Sequence, residues 1–148
     1  MNLTLNLGIA CALSLSAGTV HALDDYRCKI ETVHSADGEG PDSLVHSVRK
    51  YWIGTEFSVS RKTGAMTGPM RNNYWNDPQL IDRGSAENSF KAVTILRTNE
   101  GLGPGSAVYV LVIQEHHEKS EKPFTFFDGD EVFFGTCHHE VAASKKAR

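Results

Sequence analysis

Apolar and polar residues alternate one by one along most of the chain, in short stretches cut off by turn residues. Tyr26, Cys28 and Ile30 alternate with Arg27, Lys29 and Glu31, the period-two pattern of a half-buried strand. Phe57 and Val59 alternate with Ser58 and Ser60, and Lys62-Thr63-Gly64 turns the chain into Ala65-Met66-Thr67. Gln79 to Arg83 and Ser89 to Thr98 read as the next pair of strands, joined by Gly84-Ser85-Ala86-Glu87-Asn88. Ser106 to His117 holds the run Val108 to Ile113, which is apolar in both phases. Such a run suits a strand buried on both faces or lying centrally in a sheet. Pro123 to Phe127, the turn Asp128-Gly129-Asp130 and Glu131 to Cys137 read as a closing hairpin.

One stretch departs from this rhythm. Leu44, Val48 and Trp52 recur at helical spacing behind an Asp42 or Ser43 cap, which predicts a short helix. Val45, Val48, Tyr51, Trp52 and Ile53 suit an extended strand equally well. The expectation is therefore a mostly β protein of about seven or eight strands with at most one short helix. An antiparallel meander of that kind closes into a small barrel or folds as a sandwich.

Charge narrows the function classes. The chain has 148 residues with 15 Lys and Arg against 18 Asp and Glu, a net charge of −3. That balance lacks the basic stripe a general nucleic-acid binder needs. No Lys or Arg precedes Arg27; Leu3 to Leu15 is an apolar run broken only by Thr4, Asn6 and Ser14, and Val20-His21-Ala22 follows. This layout predicts a secretory signal peptide over 1–22, cleaved after Ala22. The run is shorter than the roughly 20 apolar residues that span a bilayer. Gly8-Ile9-Ala10-Cys11 offers a lipoprotein reading through Cys11, which the resulting short apolar core disfavours. The rest divides into a single β domain over 23–140 and a disordered basic tail over 141–148. It holds no second hydrophobic segment, so a periplasmic or secreted protein without a transmembrane segment is expected.

Two cysteines, Cys28 and Cys137, remain after such a cleavage. An even pair in an exported chain predicts a disulfide. It would close a loop of roughly 110 residues, worth about 4–5 kcal/mol by chain entropy. It would also make the first and last strands neighbours, which favours barrel-like closure over a sandwich.

Four segments stand out together: Tyr26-Arg27-Cys28, Glu56-Phe57-Ser58-Val59 with Thr63-Gly64, Glu87-Asn88-Ser89-Phe90-Lys91, and Val132-Phe133-Phe134-Gly135-Thr136-Cys137. In them the chain resembles an uncharacterised family of small exported bacterial β-proteins. The resemblance implies export and a small β fold, and no activity comes with it.

The first candidate surface is Tyr74-Trp75, two aromatics in a polar loop with Arg71, Asn72, Asn73, Asn76 and Asp77. Aromatics on loops over a rigid scaffold are common recognition elements. Trp52, by contrast, is expected to pack in the core with Phe57. The second candidate is a metal site from the doublets His116-His117 and His138-His139, flanked by Glu115, Glu118 and Glu140. With consecutive antiparallel strands both doublets fall at one end of the sheet, and only alternate histidines share a face. Lys62-Thr63-Gly64 reads as a turn, and Gly101-Leu102-Gly103-Pro104-Gly105 as a hairpin loop, because no helix follows to bind an anion. No nucleophile–base pair stands out, so no catalytic residue and no cofactor are assigned. The leading expectation is a non-enzymatic binding module for a protein partner or small ligand. An envelope metal-binding protein and a small hydrolase or isomerase with a barrel-lumen site follow.

Overall fold

A computed structural model describes residues 25–36, 50–101 and 103–140. The signal peptide over 1–22, Cys11, the helix-or-strand segment up to residue 49 and the tail over 141–148 lie outside the described residues.

The described residues form eight antiparallel strands in one sheet curled into a half-barrel. They are β1 (Asp25–Ser35), β2 (Glu56–Val59), β3 (Met66–Thr67), β4 (Gln79–Arg83), β5 (Phe90–Leu96), β6 (Ala107–Ile113), β7 (Lys122–Asp128) and β8 (Glu131–Glu140). Residues 50–52 are helical, which selects the helical reading for the described end of its segment.

The strand order is β3-β2-β1-β8-β7-β6-β5-β4. Every neighbouring pair is consecutive in sequence except β1–β8, so the order is that of an up-and-down ring opened between β3 and β4. β1 and β8 pair from Asp25↔Glu140 to Ser35↔Glu131, with a bulge between Ile30 and Thr32. The disulfide joins Cys28 to Cys137, which face each other in that register with Cα atoms 3.9 Å apart. Both cysteines are buried. First and last strands thus meet as expected, well inside the sheet, and the seam falls elsewhere.

The alternation read from the sequence decides what fills the concave side. Tyr26, Cys28 and Ile30 point inward from β1, Phe90 and Ala92 from β5, Leu111 and Ile113 from β6, Phe124 and Phe126 from β7, and Phe133 from β8; all are buried. Their rings meet at edge or tilted angles, as in Phe57–Phe124 at 5.3 Å and Phe126–Phe133 at 6.0 Å. Gly135 lies in the same inward phase, and a side chain there would strike the Lys29 carbonyl and the Phe124 ring. The concave face is therefore a packed core. Trp52 joins it from the side, packed against the core cluster that includes Phe57, with its ring edge-on to Phe133 at 5.8 Å.

β6 lies well inside the strand order, as its apolar run suggested, yet only one of its faces is covered. Leu111 and Ile113 are buried, whereas Val108 points outward and is 43% exposed. Phe127 and Phe134 likewise face outward from β7 and β8.

Side chains close the seam where a backbone ladder is missing. Asn72, only 1% exposed, accepts from the Met66 amide at 2.9 Å and donates to the Gly64 carbonyl at 3.0 Å. It thereby occupies hydrogen-bonding positions beside β3 that a neighbouring strand would take. From the other side Arg61 donates from Nη2 to the Arg83 carbonyl at 3.0 Å, reaching β4. Between these contacts the β2–β3 turn rests on β5: Gly64 has φ +80°, and a Cβ there would come within 2.7 Å of the Ala92 side chain. Only glycine meets both demands.

Candidate functional site

The loop between β3 and β4 carries Tyr74 and Trp75, and its sequence explains why they stand out of the core. Met70 and Asn72 are buried before them, the first in the hydrophobic core and the second in the seam. After them Asn76 donates from Nδ2 to the Ile95 carbonyl at 2.8 Å and to Glu100 at 3.3 Å. Glu100 in turn accepts from the Arg97 amide at 2.8 Å, which holds its carboxyl below the usual range. The loop is thus pinned on both sides of the aromatic pair. Tyr74 is 54% exposed and Trp75 50%.

Tyr74 is not isolated. Its ring lies 6.4 Å from that of Tyr109, which stacks on Phe126 inside the half-barrel. The registers Thr94↔Tyr109, Tyr109↔Asp128 and Asp128↔Glu131 place these four side chains in one row across β5, β6, β7 and β8. The row continues the inward phase of Ala92, Leu111, Phe126 and Phe133 and caps the core with polar groups. Burial pushes the Asp128 carboxyl up; burial, then Asp128 and Asp130, pushes Glu131 up. The Tyr109 hydroxyl is raised by burial first and then by Asp128 and Tyr74.

The opposite end of the half-barrel holds a second polar group of residues, centred on Glu115. The expected strand end over 114–117 is a turn, because the Glu115 amide bonds back to the Ile113 carbonyl and that of His117 to Gln114. The turn aims Glu115 at the core. Its carboxylate accepts from the Tyr26 hydroxyl at 2.8 Å, meets His139 Nε2 at 2.9 Å and pairs with Arg61 at 3.6 Å. The Arg61 guanidinium lies over the Tyr26 ring, 5.2 Å from its centre. Burial, then the Glu115 bond, drives the Tyr26 hydroxyl far above the ordinary phenol range. Arg61 Nε stays buried without a partner.

Both histidine doublets lie at this end, with β7 between them, but their side chains part. His139 turns inward to Glu115, His138 is exposed, and His116 approaches the Ser89 hydroxyl at 3.3 Å. His117 Nδ1 is buried without a partner. Among the described residues no three His, Cys, Asp or Glu side chains gather in a geometry that holds a metal ion.

Sequence reasoning singled out Tyr74, Trp75 and the histidines and missed Tyr109, Asp128 and Glu131. Their signal was available. Phe124, Phe126 and Asp128 share one phase, as do Glu131 and Phe133, so each strand carries its inward phase onto a carboxylate. The contacts of Glu115 with Tyr26 and Arg61 left no such trace, since they cross the whole topology.

No family model, no curated protein and no solved structure matches the chain.

Proposed function

We propose that the protein is an exported, disulfide-clamped β module that binds a protein partner or a small ligand without catalysis, using Tyr74 and Trp75 as its contact. The observation that carries this reading is the pinned loop. A pair of large aromatics held half exposed between a buried asparagine and a hydrogen-bonded one forgoes the burial such rings ordinarily gain. Holding them in place beforehand reduces the ordering cost of binding. The packed concave face supports binding by surface loops rather than in a lumen. The buried disulfide suits an oxidising, extracytoplasmic compartment, and the apolar segment before Val20-His21-Ala22 supplies the export signal.

The test compares the native chain with a Tyr74→Ala/Trp75→Ala variant, each used as bait in extract of the producing cell's envelope. The variant is expected to keep its circular dichroism and its melting temperature to within about 3 °C, because exposed positions contribute little to stability. It should lose the partners that the native chain retains. Unchanged capture by a folded variant would remove the loop from the function. Mass measurement of the protein recovered from the envelope should show a chain beginning at Leu23.

A further inference from the structure

We infer that the end of the half-barrel beside Tyr74 binds an organic ammonium group, held between the Tyr74 and Tyr109 rings and the carboxylates of Asp128 and Glu131. The inference rests on the proposed role of the Tyr74 loop and names the chemistry that loop would recognise.

Three independent features converge there. The first is uncompensated charge: among the described residues, neither the Asp128 nor the Glu131 side chain has an ion pair or a hydrogen bond. Holding two partly buried carboxylates side by side in the inward row without a counter-charge is unfavourable, and an arriving cation would offset it. Their upward-shifted titration agrees with that strain. The second feature is the Tyr74 ring, half exposed beside Tyr109 with ring centres 6.4 Å apart, whose open negative face attracts a soft cation. The third is Thr94, 2% exposed, which faces Tyr109 from β5 in the same inward row. Its hydroxyl is buried with no hydrogen-bond partner, although buried hydroxyls are ordinarily satisfied.

The class of cation follows from the same residues. Asp128, Asp130 and Glu131 do not gather as a metal-binding triad. A site of two carboxylates flanked by aromatic rings suits a cation with an apolar body, such as an alkylammonium or a lysine side chain.

The experiment uses the purified, oxidised chain labelled with nitrogen-15, at constant ionic strength. It is titrated separately with n-butylammonium chloride, with Nα-acetyl-lysinamide and with uncharged n-butanol. Both amines are expected to shift the amides of Tyr74, Tyr109, Asp128 and Gly129 in a saturable way, and butanol is not. Asp128→Asn and Glu131→Gln should each weaken amine binding at least tenfold, about 1.4 kcal/mol. Tighter binding of acetyl-lysinamide than of butylammonium would identify a lysine carried on a protein as the source. Equal binding would identify a free amine. Equal shifts with butanol, unchanged affinity in both variants, or stronger effects of CaCl₂ at the same amides would overturn the inference. Amine binding that fails while Tyr74→Ala/Trp75→Ala still abolishes partner capture would defeat the cation site and leave the loop's role standing. Amine binding that persists while partner capture is indifferent to that variant would do the reverse.

Discussion

Replacing Asn72 with Ala would leave the Met66 amide and the Gly64 carbonyl buried and unpaired at the seam. Each unsatisfied group costs about 1–3 kcal/mol, so the two together are expected to cost roughly 2–6 kcal/mol in denaturant unfolding. Asn72→Asp should be no better, since a carboxylate cannot donate to Gly64. Asp128 behaves in the opposite sense. Its folded-state titration lies above that of the unfolded chain because burial disfavours the charged form. The folded protein then holds the proton more tightly, so stability associated with this group is gained as pH falls and is missing at neutral pH. Asp128→Asn is expected to raise the melting temperature at pH 7, and the difference should close in acid. A stabilised variant that binds less well is the usual signature of a site kept for function rather than for stability. Thermal melts of the native chain and the Asp128→Asn variant across that pH range would show it.

The strands themselves were legible because the period of two is strict wherever one face is buried. Tyr26-Cys28-Ile30 and Phe57-Val59 gave the inward faces of β1 and β2, and Gly64 gave the turn after them. Where the alternation stopped, so did its power to place residues. The run Val108–Ile113 is apolar in both phases, so it could not say that Val108 and Val110 face away from the core. The segment 114–117 continued a strand on paper, but the backbone folds back at Glu115, and that turn redirects a carboxylate from the strand end to Tyr26. The loop between β3 and β4 was recognised by its polar residues and its two aromatics. Nothing local distinguished Asn72, which is buried, from Asn73 beside it, because the difference lies in the strand edge that Asn72 meets. Core positions that the pattern did reach should respond accordingly. Phe126→Ala removes a fully buried ring between Tyr109 and Phe133 and is expected to cost about 3–5 kcal/mol in chemical denaturation.

At the scale of the whole molecule, the eight strands of the described residues form a half-barrel sheet in which β1–β8 is the one pairing between strands distant in sequence. The Cys28–Cys137 bond spans 109 residues of sequence across that pair. Chain-entropy reasoning assigns such a bond about 4–5 kcal/mol, a large share of the stability of a domain this size. Reduction under native conditions, or a Cys28→Ala/Cys137→Ala variant, is expected to lower the melting temperature by at least about 10 °C. Scanning calorimetry of the oxidised and reduced chains measures this directly.

The β1–β8 pairing also dictates an order of events in time. β1 emerges first, yet one of its two ladders has no partner until the final strand is free. A chain delivered from its leading end, as the proposed export would deliver it, therefore cannot complete this sheet until its last strand is released. Once both strands are free, finding the pair means closing a separation of 109 residues, which is the slow step for non-local β pairing. An unfolded chain with its disulfide intact has that search already done, and it should regain its sheet faster in stopped-flow refolding than the reduced chain.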